Sequence, residues 1–234
     1  MTKYKHIFFD LDDTLWDFSR NSEETLLELF DRYELASAGE QSISRETFLA
    51  TYYPINQELW KQYREDAIDH QSLRTTRFEM LFNQLAIPEA KNLALRFSKD
   101  YLGIAPTKPH LCPFAKELLD YLQGKYQLHI ITNGFPDIQS VKMNSAALDG
   151  YFEVVVTSGS TGYKKPAPQI FEYALQEAKA QVSESIMIGD SLEADIVGAQ
   201  NLALDHIFYN PTQKAHQKEV QQEIKSLQDL LHFF

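Results

Sequence analysis

Apolar and polar positions alternate in two quite different ways along this chain. Lys5-His6-Ile7-Phe8-Phe9 is a short apolar, aromatic run that predicts a buried strand, and it ends in three carboxylates, Asp10, Asp12 and Asp13, followed by Thr14. Beyond Thr14 the period becomes helical: Leu26, Leu29, Phe30 and Tyr33 fall on one face, with Glu23 and Glu24 in the first turn. A second helical stripe runs through Phe48, Tyr52, Ile55, Leu59 and Tyr63, with Pro54 expected to kink or divide it. Phe78, Leu81, Phe82 and Leu85 predict a third helix. A fourth, opening at Pro88, carries Ala90, Leu93, Ala94, Phe97 and Tyr101. No strand pattern occurs between about Asn21 and Tyr101, which predicts a module of four or five packed helices.

Pro106, Pro109 and Pro113 then crowd one connection, as in a semi-rigid linker. After it, strand and helix alternate. Strands are expected at Leu128–Thr132, Phe152–Thr157, Ser185–Ile188 and His206–Tyr209. Helices are expected from Pro113 to near Gly124, from beyond Thr132 to about Ala147, over Pro168–Ala180 and Leu192–Asn201, and from Gln213 onward. Such alternation predicts an α/β fold with a parallel sheet covered on both faces. The first strand is needed to complete that sheet. The expected division is therefore an α/β core of residues 1–16 and 106–234, with a helical module of residues 17–105 inserted into it.

Composition narrows the partners. A formal net charge of -11 over 234 residues argues against a nucleic-acid polymer, which demands a basic face, but is compatible with a small phosphorylated substrate. The single cysteine, Cys112, precludes an internal disulfide and reads as a small apolar residue beside the linker. No apolar stretch approaches the roughly 18 residues of a membrane span, and no apolar signal region precedes the first strand. The expectation is a soluble, cytoplasmic protein, monomeric or weakly dimeric.

The chemistry concentrates at strand ends. Residues two apart in a strand share a face, so Asp10 and Asp12 lie side by side and need a cation or a shared proton between them. An aspartate is ionised at neutral pH, with an ordinary pKa of about 3.9, and needs no base to attack phosphorus. A second aspartate can give a proton to the leaving oxygen and later take one from water. Ile131-Thr132-Asn133-Gly134 offers a hydroxyl, an amide and a Gly-freed backbone to phosphate oxygens, and Gly162-Tyr163-Lys164-Lys165-Pro166 offers a lysine at a helix entry. Ile188-Gly189-Asp190-Ser191-Leu192-Glu193-Ala194-Asp195 adds two more carboxylates, and acids converging with Asp10 suit Mg²⁺.

The order Asp-x-Asp-x-Thr, strand-Thr, Lys-Pro and Gly-Asp-Ser-x-x-x-Asp resembles the four motifs of the haloacid dehalogenase superfamily. The resemblance implies a Rossmann-like core with a helical cap after the first strand. It implies Asp10 as nucleophile, Asp12 as general acid and base, Thr132 and the Asn133 backbone on the phosphoryl group with Gly134 beside them, and Lys165 rather than Lys164 as charge-balancing lysine. Mg²⁺ would be held by Asp10, the Asp12 carbonyl and Asp190, with Asp195 supporting. The superfamily's true dehalogenases lack an acid at the position of Asp12 and need no metal, so this chain sorts with the phosphatases. Receiver domains also gather an acidic pair, a Thr and a Lys, but in another order and without a cap.

Two cap stretches, Ile55-Asn56-Gln57-Glu58-Leu59-Trp60-Lys61-Gln62-Tyr63 and Leu73-Arg74-Thr75-Thr76-Arg77-Phe78, are similar to those of noncanonical pyrimidine nucleotidases, as is Asp10–Phe18 with Trp16. That implies a nucleoside monophosphate as substrate, with Trp16, Trp60 and Tyr63 stacking on a base and Arg74 or Arg77 on a ribose or phosphate. The structural alternative for each is a core aromatic or a solvated arginine. Sugar-phosphate phosphatase, phosphoglucomutase and pyrophosphatase are the neighbouring activities on the same machinery.

Overall fold

The computed structural model describes residues 3–39 and 41–234. It divides into two compact units, Met1–Phe18 with Pro109–Phe234, and Ser19–Lys108. The expected boundaries at residues 17 and 105 lie within a helical turn of that division.

Strand β1 (His6–Phe9) leads into the helical unit, formed by α1 (Phe18–Arg32), α2 (Arg45–Arg64), α3 (His70–Gln84) and α4 (Ala90–Ile104). Their stripes meet in an aromatic core. Phe78 lies 4.9 Å from Phe97, Tyr52 stacks on Phe78 at 5.8 Å, and Phe30 meets Phe48 at 5.1 Å, measured between ring centroids. Ser44 caps α2 by accepting from the Thr47 N–H at 3.1 Å, and Asp69 caps α3 by accepting from the Ser72 N–H at 2.7 Å. The division expected at Pro54 does not occur: α2 runs unbroken through it. Pro54 is exposed, so water can serve the carbonyl that the missing N–H leaves behind.

The α/β unit continues with α5 (Ala115–Leu122), β2 (Gln127–Thr132), α6 (Pro136–Ser145), β3 (Phe152–Thr157) and α7 (Ser158–Thr161). It is completed by α8 (Pro168–Glu177), β4 (Ser185–Gly189), α9 (Val197–Asn201), β5 (Asp205–Tyr209), β6 (Gln222–Ile224) and α10 (Leu230–Phe233). All pairings between these strands are parallel, in the order β3-β2-β1-β4-β5-β6. β1 lies in the middle of the sheet, and helices cover it on both faces, so its side chains are buried on both. Ile7 and Phe9 pack with Leu118, Leu119 and Leu122 of α5, whereas Phe8 packs with Ile170 and Phe171 of α8. That double burial is why the strand reads as an unbroken apolar run.

The chain winds outward from β1 to β3, then crosses back to β4 on the other side. Parallel sheets bind ligands at such a switch point, beyond the carboxyl ends of the strands. Here that point falls between Asp10, after β1, and Asp190, after β4.

Two expectations about the α/β unit fail. The segment from Gln213 is not a closing helix; it is irregular, and the chain then adds the short strand β6 before α10. Between Gln213 and Val220 only Ala215 and Val220 are apolar, so there is no stripe for a helix to bury. Asn210 holds the loop instead, donating to the Lys214 carbonyl at 3.0 Å and to Glu223 Oε1 at 2.7 Å. The helix expected over Leu192–Asn201 begins as a wide five-residue turn, Leu192–Ile196, and becomes α-helical only at Val197.

Candidate active site

The two links between core and cap pair with each other inside the α/β unit. Trp16 bridges Leu111, the Cys112 N–H donates to the Leu15 carbonyl at 2.8 Å, and the Asp17 N–H donates to His110 O at 3.1 Å. Asp13 turns this segment with φ of 60°, a left-handed conformation that Asp tolerates. The loop after β1 is thereby held as a compact turn, with Asp10 and Asp12 at its start.

Lys165 is the buried hub. Its ammonium donates to Asp10 Oδ1 at 2.5 Å, Asp195 Oδ1 at 2.6 Å and the Ile131 carbonyl at 2.6 Å, using all three protons. Burial by itself would push this ammonium down, but Asp10 and Asp195 together hold it above its ordinary range. Asn133 fixes the backbone that carries it, donating to Lys165 O at 3.0 Å and accepting from Lys165 N–H at 2.7 Å. Lys164, the residue before it, is half-buried.

Burial drives Asp10 up to about 7; Lys165 opposes this, while Asp195 and Asp12 add to it. Asp190 is likewise raised well above its ordinary value, by burial and then by the charges of Asp10 and Asp195. Thr14 ties the two loops together, donating to Asp190 Oδ1 at 3.2 Å and accepting from the Asp190 N–H at 3.1 Å. Asp10, Asp190 and Asp195 each present a carboxylate oxygen within 4.8 Å of one another. Two buried acids and one partly exposed acid gather around the single ammonium of Lys165, and this excess of carboxylate oxygen donors fits a hard divalent cation. Asp195 faces inward, accepting from Lys165 and, at 2.9 Å, from the Ser191 N–H. Asp12 lies outside this acidic group: its carboxylate oxygens accept from Lys142 Nζ at 2.6 Å and from Gln139 Nε2 at 2.9 Å.

Thr132, at the end of β2, is buried and accepts from the Gly134 N–H at 3.1 Å and from Gln139 Nε2 at 2.8 Å. Both lone pairs are used, so its own proton is the one left to donate. Gly134 is needed for this arrangement, since a Cβ there would lie 2.2 Å from Gln139 Nε2.

The aromatic and arginine candidates fare differently. Trp16 is wholly buried in the core cluster of the α/β unit with the Lys142 ammonium 4.5 Å from its ring centroid, so it is a packing residue and offers no face to a base. Arg77 is buried inside the helical unit. It donates to Asn56 Oδ1 at 3.1 Å and lies 4.9 Å from the Tyr101 ring and 5.0 Å from the Phe78 ring. Tyr63 is buried, its ring edge-on to Trp60 at 5.8 Å; of the five candidates, Trp60 and Arg74 are partly exposed. Thr14, Gln139 and Lys142 were missed as site residues. The structure alone reveals the last two: α6 exposes Val141 while burying Gln139 and Lys142 beside Met143.

With this geometry in view, the matches to known proteins agree. Residues 4–202 match the family model for haloacid dehalogenase-like hydrolases. The chain belongs to that family. Pyrimidine 5′-nucleotidases are among its relatives: PynA of Streptococcus pneumoniae is 32% identical over 232 residues, covering 97% of this chain and 94% of PynA. YjjG of Escherichia coli is 31% identical over 218 residues, 93% of this chain and 89% of YjjG. The HAD-hydrolase YfnB of Bacillus subtilis, whose crystal structure is described as bound to magnesium and as revealing interdomain movement, superposes with a TM-score of 0.88 at 28% identity over 99% of both chains. Phosphatases of glyceraldehyde 3-phosphate and of N-acylneuraminate 9-phosphate match over similar spans. The family member described here is thus a phosphatase-type hydrolase. No helix among the described residues is long and apolar enough to cross a membrane.

Proposed function

We propose that this chain is a Mg²⁺-dependent phosphomonoesterase that works through an aspartyl-phosphate on Asp10 and prefers pyrimidine nucleoside monophosphates. The observation that carries the chemistry is the separate pairing of the two acids after β1: Asp10 with Lys165 at 2.5 Å and Asp12 with Lys142 at 2.6 Å. Each acid can then do a different job. Held by Asp10, Asp190 and the Asp12 carbonyl, with Asp195 supporting, a divalent cation would supply positive charge to the phosphoryl oxygens and to the acids themselves.

Asp10 attacks phosphorus as the bond to the ester oxygen breaks, and Asp12 gives that oxygen its proton, releasing the alcohol. Thr132, with its uncommitted proton, and Lys165 balance charge on the phosphoryl group. Water then attacks phosphorus and loses a proton to Asp12; the electron pair of the broken bond returns to Asp10 as phosphate leaves. Substrate choice is assigned to the helical unit, because a phosphate site alone cannot tell one monoester from another. The nucleotidase preference rests on the cap motifs and on PynA and YjjG. A cytoplasmic setting accords with a single, buried, free cysteine.

The test is steady-state phosphate release with Mg²⁺ or with chelator, over pyrimidine and purine monophosphates, hexose phosphates, glyceraldehyde 3-phosphate and pyrophosphate. Chelator-sensitive turnover favouring pyrimidine monophosphates, abolished in Asp10→Asn, is expected. A preference for a sugar phosphate would retain the mechanism and discard the nucleotidase assignment. Substantial phosphate release from folded Asp10→Asn would discard the mechanism.

A further inference from the structure

Helix α6 sends two polar side chains, Gln139 and Lys142, inward at i and i+3, onto the carboxylate of Asp12. Gln139 Nε2 lies 2.9 Å from Asp12 Oδ2, and Lys142 Nζ lies 2.6 Å from Asp12 Oδ1. Lysine is almost never this buried without a partner; Lys142 is 6% exposed, with its ammonium over the rings of Trp16 at 4.5 Å and Phe18 at 5.6 Å. As a contribution to stability such a pair is weak, since desolvating two charges offsets most of their attraction, and an apolar residue would pack α6 as well. What the pair does supply is orientation. Both oxygens of Asp12 are engaged from one helix, on an aromatic floor, and the same Gln139 amide reaches Thr132 Oγ1 at 2.8 Å.

We propose that Gln139 and Lys142 are positioning residues, which hold Asp12 in the rotamer that delivers a proton to the leaving oxygen. The inference rests on the phosphatase reading above. Each Asp12 oxygen accepts one contact and keeps a second lone pair, so a proton can be carried there without breaking either contact. As Asp10 forms its bond to phosphorus, the electron pair of the breaking ester bond goes to the ester oxygen. That oxygen takes the Asp12 proton, so an alcohol leaves and an Asp12 carboxylate remains between Lys142 and Gln139. Proton delivery matters when the leaving oxygen is an alkoxide and matters little when it is a stable phenolate.

The experiment compares kcat/KM, which reports events up to phosphorylation of Asp10, for the best alkyl monoester in the panel and for p-nitrophenyl phosphate. Wild type and Lys142→Met are measured with Mg²⁺. The variant is expected to lose at least about tenfold more on the alkyl ester than on the phenyl ester, as loss of general acid catalysis requires. In an Asp12→Asn background, Lys142→Met should add little to the loss on the alkyl ester. Equal losses on both esters, or none on either, would show a merely structural lysine and overturn the inference while the phosphatase reading stands. A wild type that hydrolyses neither ester overturns both. If Lys142→Met does not fold, Gln139→Met, which removes only the amide contact, carries the same comparison.

Discussion

Two glycines show how closely side chains are set around the candidate site and how loosely elsewhere. A Cβ on Gly189 would lie 2.2 Å from Asp195 Oδ2 and 2.4 Å from its Cγ, whereas a Cβ on Gly103, in α4, would meet nothing within 4 Å. Asp195 cannot yield without leaving the Lys165 ammonium and the Ser191 N–H. Gly189→Ala is therefore expected to cost about 2–3 kcal/mol of stability, while Gly103→Ala, in an exposed helical position, gains about 0.5–1 kcal/mol. Urea unfolding of both variants checks the contrast. A Gly189→Ala protein of wild-type stability would mean that Asp195 has room to rotate away. The residues legible from sequence at this scale were the strand-end acids, Thr132 and the lysine before Pro166, because their chemistry is unusual for strand ends. Gln139, Lys142 and the side-chain role of Asn133 were not legible, because a polar residue on a helix or in a turn is ordinarily solvated.

Between adjacent strands, β1 and β2 bury a pair of histidines, with His6 Nδ1 3.1 Å from His129 Nε2 and His129 against the Phe8 ring at 4.7 Å. That contact holds one proton, so the pair is stable when at least one ring is neutral. Burial, and then the neighbouring His6, depress His129 to about 4, and burial lowers His6 against the opposing charges of Glu184 and Glu153. In the unfolded chain both rings return to about 6.5, so between pH 4 and 6.5 the unfolded state binds more protons. Stability from this pair is complete above that window and is lost as pH falls through it. Urea unfolding at pH 5 and pH 7.5 should show this loss, and His129→Phe, which removes the titrating ring, should flatten it by on the order of 2 kcal/mol. An unchanged slope in the variant would place the acid sensitivity elsewhere. Elements themselves were legible where the period was strong: the cap helices, and the strands with their apolar runs. The segment after Gln213, expected to be helical, has no apolar stripe to bury and forms no helix before β6. Strand β6 exists by virtue of β5 beside it, which no local pattern of three residues announces.

Over the molecule as a whole, the core is discontinuous in sequence but continuous in its sheet, because β1 sits between β2 and β4. The two links that lead to the helical unit are already paired through Trp16 and Leu111, so their ends lie close together. A chain in which residues 1–18 are joined to 109–234 by a short Gly-Ser linker is expected to fold on its own. A single cooperative urea transition with near-UV circular dichroism from the packed aromatics would show it; aggregation or a molten far-UV-only signal would mean that the core depends on the helical unit.

What the sequence determined by itself was the alternation of elements, the insertion, and the identity of the acids at strand ends. These follow from local periodicity and from residue types that have few other reasons to stand where they do. Tertiary structure decided which groups those acids face. Lys165 takes Asp10 and Asp195, and Lys142 takes Asp12, because parallel pairing of β1 with β2 and β4 gathers strand-end segments that are far apart in sequence. It also decided that Trp16 and Arg77 are interior, since burial depends on what packs against a side chain and not on its own chemistry.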